Sequence, residues 1–138
     1  MKEKKIRFGD FIRRKRLDDP RELRMQDIAD LLDLSLSYMS EIESNRKKPL
    51  AGEKLEKLAE YLNLSDEDKA IMYDLAGRET GEVPYDIEDT FMYEGVGEIV
   101  RYALRQSKAG FIREEDWKTF IREMEERKRE RGRRRWLD

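Results

Sequence analysis

The strongest constraint in this 138-residue sequence is the spacing of its apolar residues. They recur at i, i+3 and i+4 in short segments, and no stretch alternates apolar with polar residues as a half-buried strand does. Phe8, Phe11 and Ile12 carry the pattern first, and Asp18-Asp19-Pro20 breaks it. Met25, Ile28, Ala29 and Leu32 define a second short helix. Ser35 is a good N-cap for a third, Leu36–Ser44, with Met39 and Ile42 inward. Asn45 can end that helix in the left-handed conformation, and Pro49 guards against its continuation. A fourth helix covers about 52–62 and buries Leu55, Leu58, Ala59 and Leu62. Ser65 caps a fifth, with Asp66, Glu67 and Asp68 near the positive end of the helix dipole. It is expected to bury Ile71, Met72 and Leu75 and to end at Gly77. The reading is all-α: five short helices in one compact bundle.

Arg78–Pro84 reads as a linker, and about three more helices follow: 87–93, 96–108 and 113–131. Ile99, Val100, Ala103 and Leu104 form the inward face of the second of these, and Trp117, Phe120, Ile121 and Met124 that of the third. Such narrow faces cannot make independent domains and have to bury against each other, the bundle or a second subunit. The domain expectation is therefore 1–77, a linker at 78–84, and a helical extension at 85–138 for dimerisation or partner binding, with a basic tail at 127–135.

Composition removes whole classes of chemistry. Cysteine and histidine are both absent. Disulfides, thiolate nucleophiles, thiolate or imidazole zinc sites and histidine acid–base catalysis go with them. No metal or other cofactor is expected, and no enzyme. No apolar run reaches the length of a membrane span and no signal peptide is visible, so a cytoplasmic location is expected. Net charge is only −2, yet it is unevenly spread. Residues 1–50 carry +3, residues 51–112 carry −7 and residues 113–138 carry +2. A local basic face can bind phosphates on an acidic chain.

The informative stretch is Gln26–Pro49. Two helices that cross steeply need a small residue at the crossing, and Ala29 supplies it. The turn between them needs a residue that tolerates positive φ, and Asp33 is acceptable there. A helix that enters a DNA groove by its first turns needs small polar side chains, which Ser35, Ser37 and Ser40 provide. With Ile28-Ala29, Leu34, Ser37-Tyr38-Met39-Ser40, Ile42-Glu43 and Arg46-Lys47-Lys48-Pro49, residues 8–64 resemble the phage-repressor (Cro/repressor, or XRE) helix-turn-helix family.

The resemblance implies a third helix in the major groove and two copies on a near-palindromic operator of double-stranded DNA. By position it gives Leu36, Ser37, Ser40 and Glu41 to base edges. Glu41 suits the amino group of cytosine, Ser37 suits several bases and Leu36 suits a thymine methyl. It gives Tyr38, Asn45, Arg46, Lys47 and Lys48 to phosphates. Arg16 and Glu43 match an architectural ion pair of the family. A glutamine usually clamps a phosphate at the start of the second helix; here that place is Met25, with Gln26 one step later. The loop 18–22 is about two residues longer than usual, and Arg21 or Arg24 can add a backbone contact from it.

The implied protein is a transcriptional regulator, a repressor that works as a homodimer at the nucleoid. An antitoxin-like module that holds a protein partner through residues 83–138 is the alternative. The segment 75–89 also resembles extensions of regulators on phages and other mobile elements. The tail 127–135, with seven basic residues and one acid, either lies along DNA or is a solvated helix end. Phe91, Tyr93, Tyr102, Trp117 and Phe120 read as a small core or a dimer interface rather than a ligand pocket.

Overall fold

A computed structural model describes residues 6–137, with side chains through Arg135. Its helices are α1 (Phe8–Asp18), α2 (Met25–Leu31), α3 (Leu36–Glu43), α4 (Glu53–Tyr61), α5 (Asp66–Thr80), α6 (Glu88–Met92), α7 (Gly95–Lys108) and α8 (Glu114–Leu137). A 3-10 turn, Tyr85–Ile87, precedes α6. No strand occurs among the described residues. The backbone separates into two compact units, Met1–Glu88 and Asp89–Asp138.

The first unit is built around one core. Phe8 and Ile12 of α1, Ile28 of α2, Met39 and Ile42 of α3, Leu58 of α4 and Met72 of α5 are almost wholly removed from water. The caps are local. The Ser35 hydroxyl oxygen accepts from the Tyr38 N–H at 3.1 Å, and that of Ser65 from Asp68 N–H at 3.1 Å. At α1 and α2 a carboxylate does this work: Asp10 accepts from Arg7 N–H and Asp27 from Arg24 N–H. Glu22, Asp33, Asn45 and Asn63 take positive φ at the chain reversals. Asp and Asn enter that region at less cost than most other residues with a Cβ.

The fifth helix departs from its expected end. It runs through Gly77 to Thr80 and stops at Gly81, with φ at +72°. Gly77 is a point of close approach rather than a terminator: a Cβ there would lie 2.8 Å from the Glu82 carbonyl oxygen. The segment read as a linker thus begins as helix and then folds back on it. Glu82 N–H donates to Gly77 O at 3.0 Å, and Tyr85 stacks on Tyr73. Ile71 is nearly half exposed, while Tyr73 and Ala76 join Met72 and Leu75 inside.

The second unit contains α7 and α8, joined by a turn through Gly110, which has φ at +92°. Ser107 holds that turn: its hydroxyl donates to Ile112 O and accepts from the Trp117 indole N–H at 2.9 Å. Arg101 donates to the Phe91 carbonyl, and Gly97 packs against the backbone of Thr90 and Phe91. Here the expected inward faces do not close. Ile99 is 68% exposed, and Val100, Leu104, Phe120 and Ile121 are also open to solvent. The aromatic set does not assemble into a core, since Tyr93, Tyr102 and Phe120 are exposed. Helix α8 also continues past residue 131, because Gly132 lowers helix propensity without stopping a turn whose neighbours are all good helix formers.

Candidate nucleic-acid interface

The α2–turn–α3 geometry rests on three features. Ala29 is fully buried at the crossing, and its carbonyl accepts from Leu34 N–H at 2.8 Å across the turn. Asp33 sits at φ +55°. Ser35 then starts α3 sharply. The back of α3, Met39 and Ile42, lies in the core, so Leu36, Ser37, Tyr38 and Ser40 stand outward and Glu41 stands at the edge, partly covered.

Among the described residues of this unit, Glu43 is the one charged residue that is buried, at 4% exposure. Arg16 meets it in a fork, Nε to Oε2 and Nη2 to Oε1, both at 2.9 Å. The third arm of Arg16 donates to Leu23 O at 3.2 Å. One guanidinium thus holds α1, α3 and the long loop before α2. Its hydrogen bond to Glu43 raises the Arg16 pKa against the opposing effect of burial. The pair expected from sequence is present, and it joins α1 to α3.

A second tie joins α1 to the end of α3. The Asn45 side-chain oxygen accepts from Gly9 N–H at 2.8 Å, and its amide donates to Asp10 at 3.2 Å. Gly9 has to be glycine for this, because a Cβ would fall 2.3 Å from Ile42 O. Asn45 was expected to hold a phosphate. The oxygen and one amide hydrogen of its side chain have partners inside the unit, so it also forms a strut between α1 and the end of α3. The only hint in the sequence was a glycine next to the apolar start of α1.

The basic run leaves α3 in a defined direction. Arg46 and Lys47 both donate backbone N–H groups to Glu41 O, at 2.8 and 3.2 Å. Arg46, Lys47 and Lys48 are exposed beside the outer face of α3. Lys47 Nζ lies 3.9 Å from the Glu41 carboxylate and 5.9 Å from the Tyr38 ring centre. Those three side chains therefore form one cluster.

The start of α2 resolves the glutamine question differently. Met25 packs against the core, and Gln26 Nε2 donates to Asp30 at 2.7 Å. A phosphate contact by Gln26 has to compete with that carboxylate. The loop arginines both have partners within the unit. Arg21 pairs with Asp19 at 2.9 Å, donates to Tyr61 O and lies over the Tyr61 ring. Arg24 pairs with Asp27.

A buried-backed, outward-facing α3, preceded by a tight turn and followed by a basic run, defines a DNA-binding helix-turn-helix domain. Residues 12–69 match the protein-family model described as helix-turn-helix, which supports the resemblance of this unit to domains of the phage-repressor (XRE) kind. That is a DNA-binding regulatory family rather than a family of enzymes. No curated protein and no solved structure matches the chain. No helix among the described residues is long and apolar enough to cross a membrane.

Proposed function

We propose that the protein is a sequence-specific transcriptional repressor of the cytoplasm, at the nucleoid, that binds a near-palindromic operator as a homodimer. Leu36, Ser37, Ser40 and Glu41 read base edges in the major groove. Tyr38, Asn45, Arg46, Lys47 and Lys48 hold phosphates and fix register, with Gln26 at the margin. The observation that carries this reading is the outward face of α3: its first two turns are free of the chain's own first unit while its back is locked in the core. Two-fold pairing sets two such helices one DNA turn apart, about 34 Å.

The open apolar face of α7 and α8, which includes Ile99, Leu104 and Phe120, supports α7–α8 as the joining surface. The same face is the observation that favours an antitoxin-like module with a protein partner on residues 83–138. Sedimentation of the purified chain separates the two readings. Self-association at micromolar concentration favours the first, and a monomer that co-purifies with a stoichiometric partner favours the second.

Selection of bound duplexes from a random pool tests the main reading, with an inverted repeat as the expected result. Lys47→Ala should weaken binding to operator and random duplex alike and reduce the salt slope by about 0.9. Ser37→Ala or Glu41→Ala should change which bases are preferred. If those two variants lose equally on operator and random duplex, the base-reading assignment is wrong.

A further inference from the structure

Two and a half turns near the end of α8, residues 127–135, carry seven Arg or Lys residues and one acid, Glu130, and all of them are exposed. Arg127, Arg131 and Arg135 follow each other at i, i+4, and so do Arg129 and Arg133. Like charges at that spacing destabilise a helix. The nearest counter-charge in an ion pair is Glu126, 4.0 Å from Arg129. A favourable interaction with the helix dipole needs cations only in the final turn, whereas here they extend well beyond it and around every side.

What covers such a surface is decided by what it lacks. There is no apolar side chain between residues 127 and 135. A helix that lies in a membrane interface needs an apolar face, and a protein interface needs an apolar centre. This segment offers charge alone. Nine helical residues rise about 13 Å, a length over which duplex DNA presents about eight phosphates.

We infer that the basic end of α8 is a second DNA contact, made to the phosphate backbone without regard to sequence. The inference rests on the DNA-binding reading of the first unit, which brings duplex to the chain. A tethered second site then adds affinity by effective concentration rather than by new specificity.

The test uses the full chain with Arg127, Arg131, Arg134 and Arg135 all changed to Gln, which keeps length and helix propensity. Fluorescence anisotropy is read on the selected operator and on a scrambled duplex across a salt series. The expected result is at least tenfold weaker binding on both, by the same factor, with a salt slope lower by about 0.9 for each phosphate contact removed. The matching Arg→Lys variant should keep the wild-type slope, since point charge is what the backbone reads. An unchanged slope on both duplexes overturns the inference, and so does a loss confined to the operator. Unchanged DNA binding together with lost binding to phosphatidylserine vesicles overturns it in favour of a lipid surface. Failure of the α3 reading shows separately, as unaltered base preference in Ser37→Ala, and the slope on scrambled duplex still judges the tail.

Discussion

At the scale of single residues, the most consequential pair is Arg16–Glu43. Its carboxylate is almost fully buried, and its bidentate geometry satisfies both oxygens. Arg16→Met should therefore cost about 3–5 kcal/mol by leaving a buried charge unpaired, whereas a double change of Arg16→Met with Glu43→Leu should lie within about 1–2 kcal/mol of the parent. Urea denaturation of the three variants checks the order. Gly9 belongs to the same class, since any side chain there pushes directly on backbone atoms of α3. The loop pair Arg21–Asp19 behaves differently. The hydrogen bonds from Arg21 lower the Asp19 pKa from 3.8 to about 2. A depressed carboxyl pKa means that the pair's small stabilisation is complete above the ordinary carboxylate range and is lost as pH falls through about 2. Carboxyl carbon shifts followed by NMR should show that midpoint, and Arg21→Ala should return it to the usual range.

At the scale of helices and turns, start signals were more legible than stop signals. Ser35 and Ser65 cap the helices they were expected to cap, because a cap is a local hydrogen bond between a hydroxyl and an N–H three residues on. Gly77 was misread as a stop because its reason for being glycine lies in the chain that folds back over it, at Glu82 and Pro84. Ile71 was misplaced for a related cause: helical spacing admits either it or Tyr73 to the buried side, and packing against Tyr85 favours Tyr73. Asn45 was legible as a left-handed helix end, with φ at +64°, but its side-chain partners on α1 were not. Ser35→Ala should cost about 1 kcal/mol and lower operator affinity through fraying of the α3 start. Thermal melts and operator titration measure the two effects separately; full affinity in a destabilised variant would mean that the first turn of α3 is not what reads DNA.

At the scale of the whole molecule, the two units differ in kind. The first has a continuous core drawn from five helices. The second buries only Gly97 among its described residues and leaves a row of large apolar side chains open. Ile99→Asp should consequently abolish self-association in sedimentation equilibrium while the thermal transition of the first unit stays where it is. A variant that remains dimeric would remove α7 from the proposed interface.

Spacing, caps and composition in the sequence alone determined the helical class, the five-helix order, the turn at Asp33 and the absence of histidine and thiol chemistry. These are local properties, set by periods of three and four residues and by the chemistry that each side chain carries. Only the tertiary structure decided that Asn45 braces α1, that Gln26 leans on Asp30, that Arg21 folds onto Tyr61 and that the α7–α8 faces stay open. Each of those depends on which distant surfaces meet, and no short stretch of sequence encodes that separately from the packing of the whole unit.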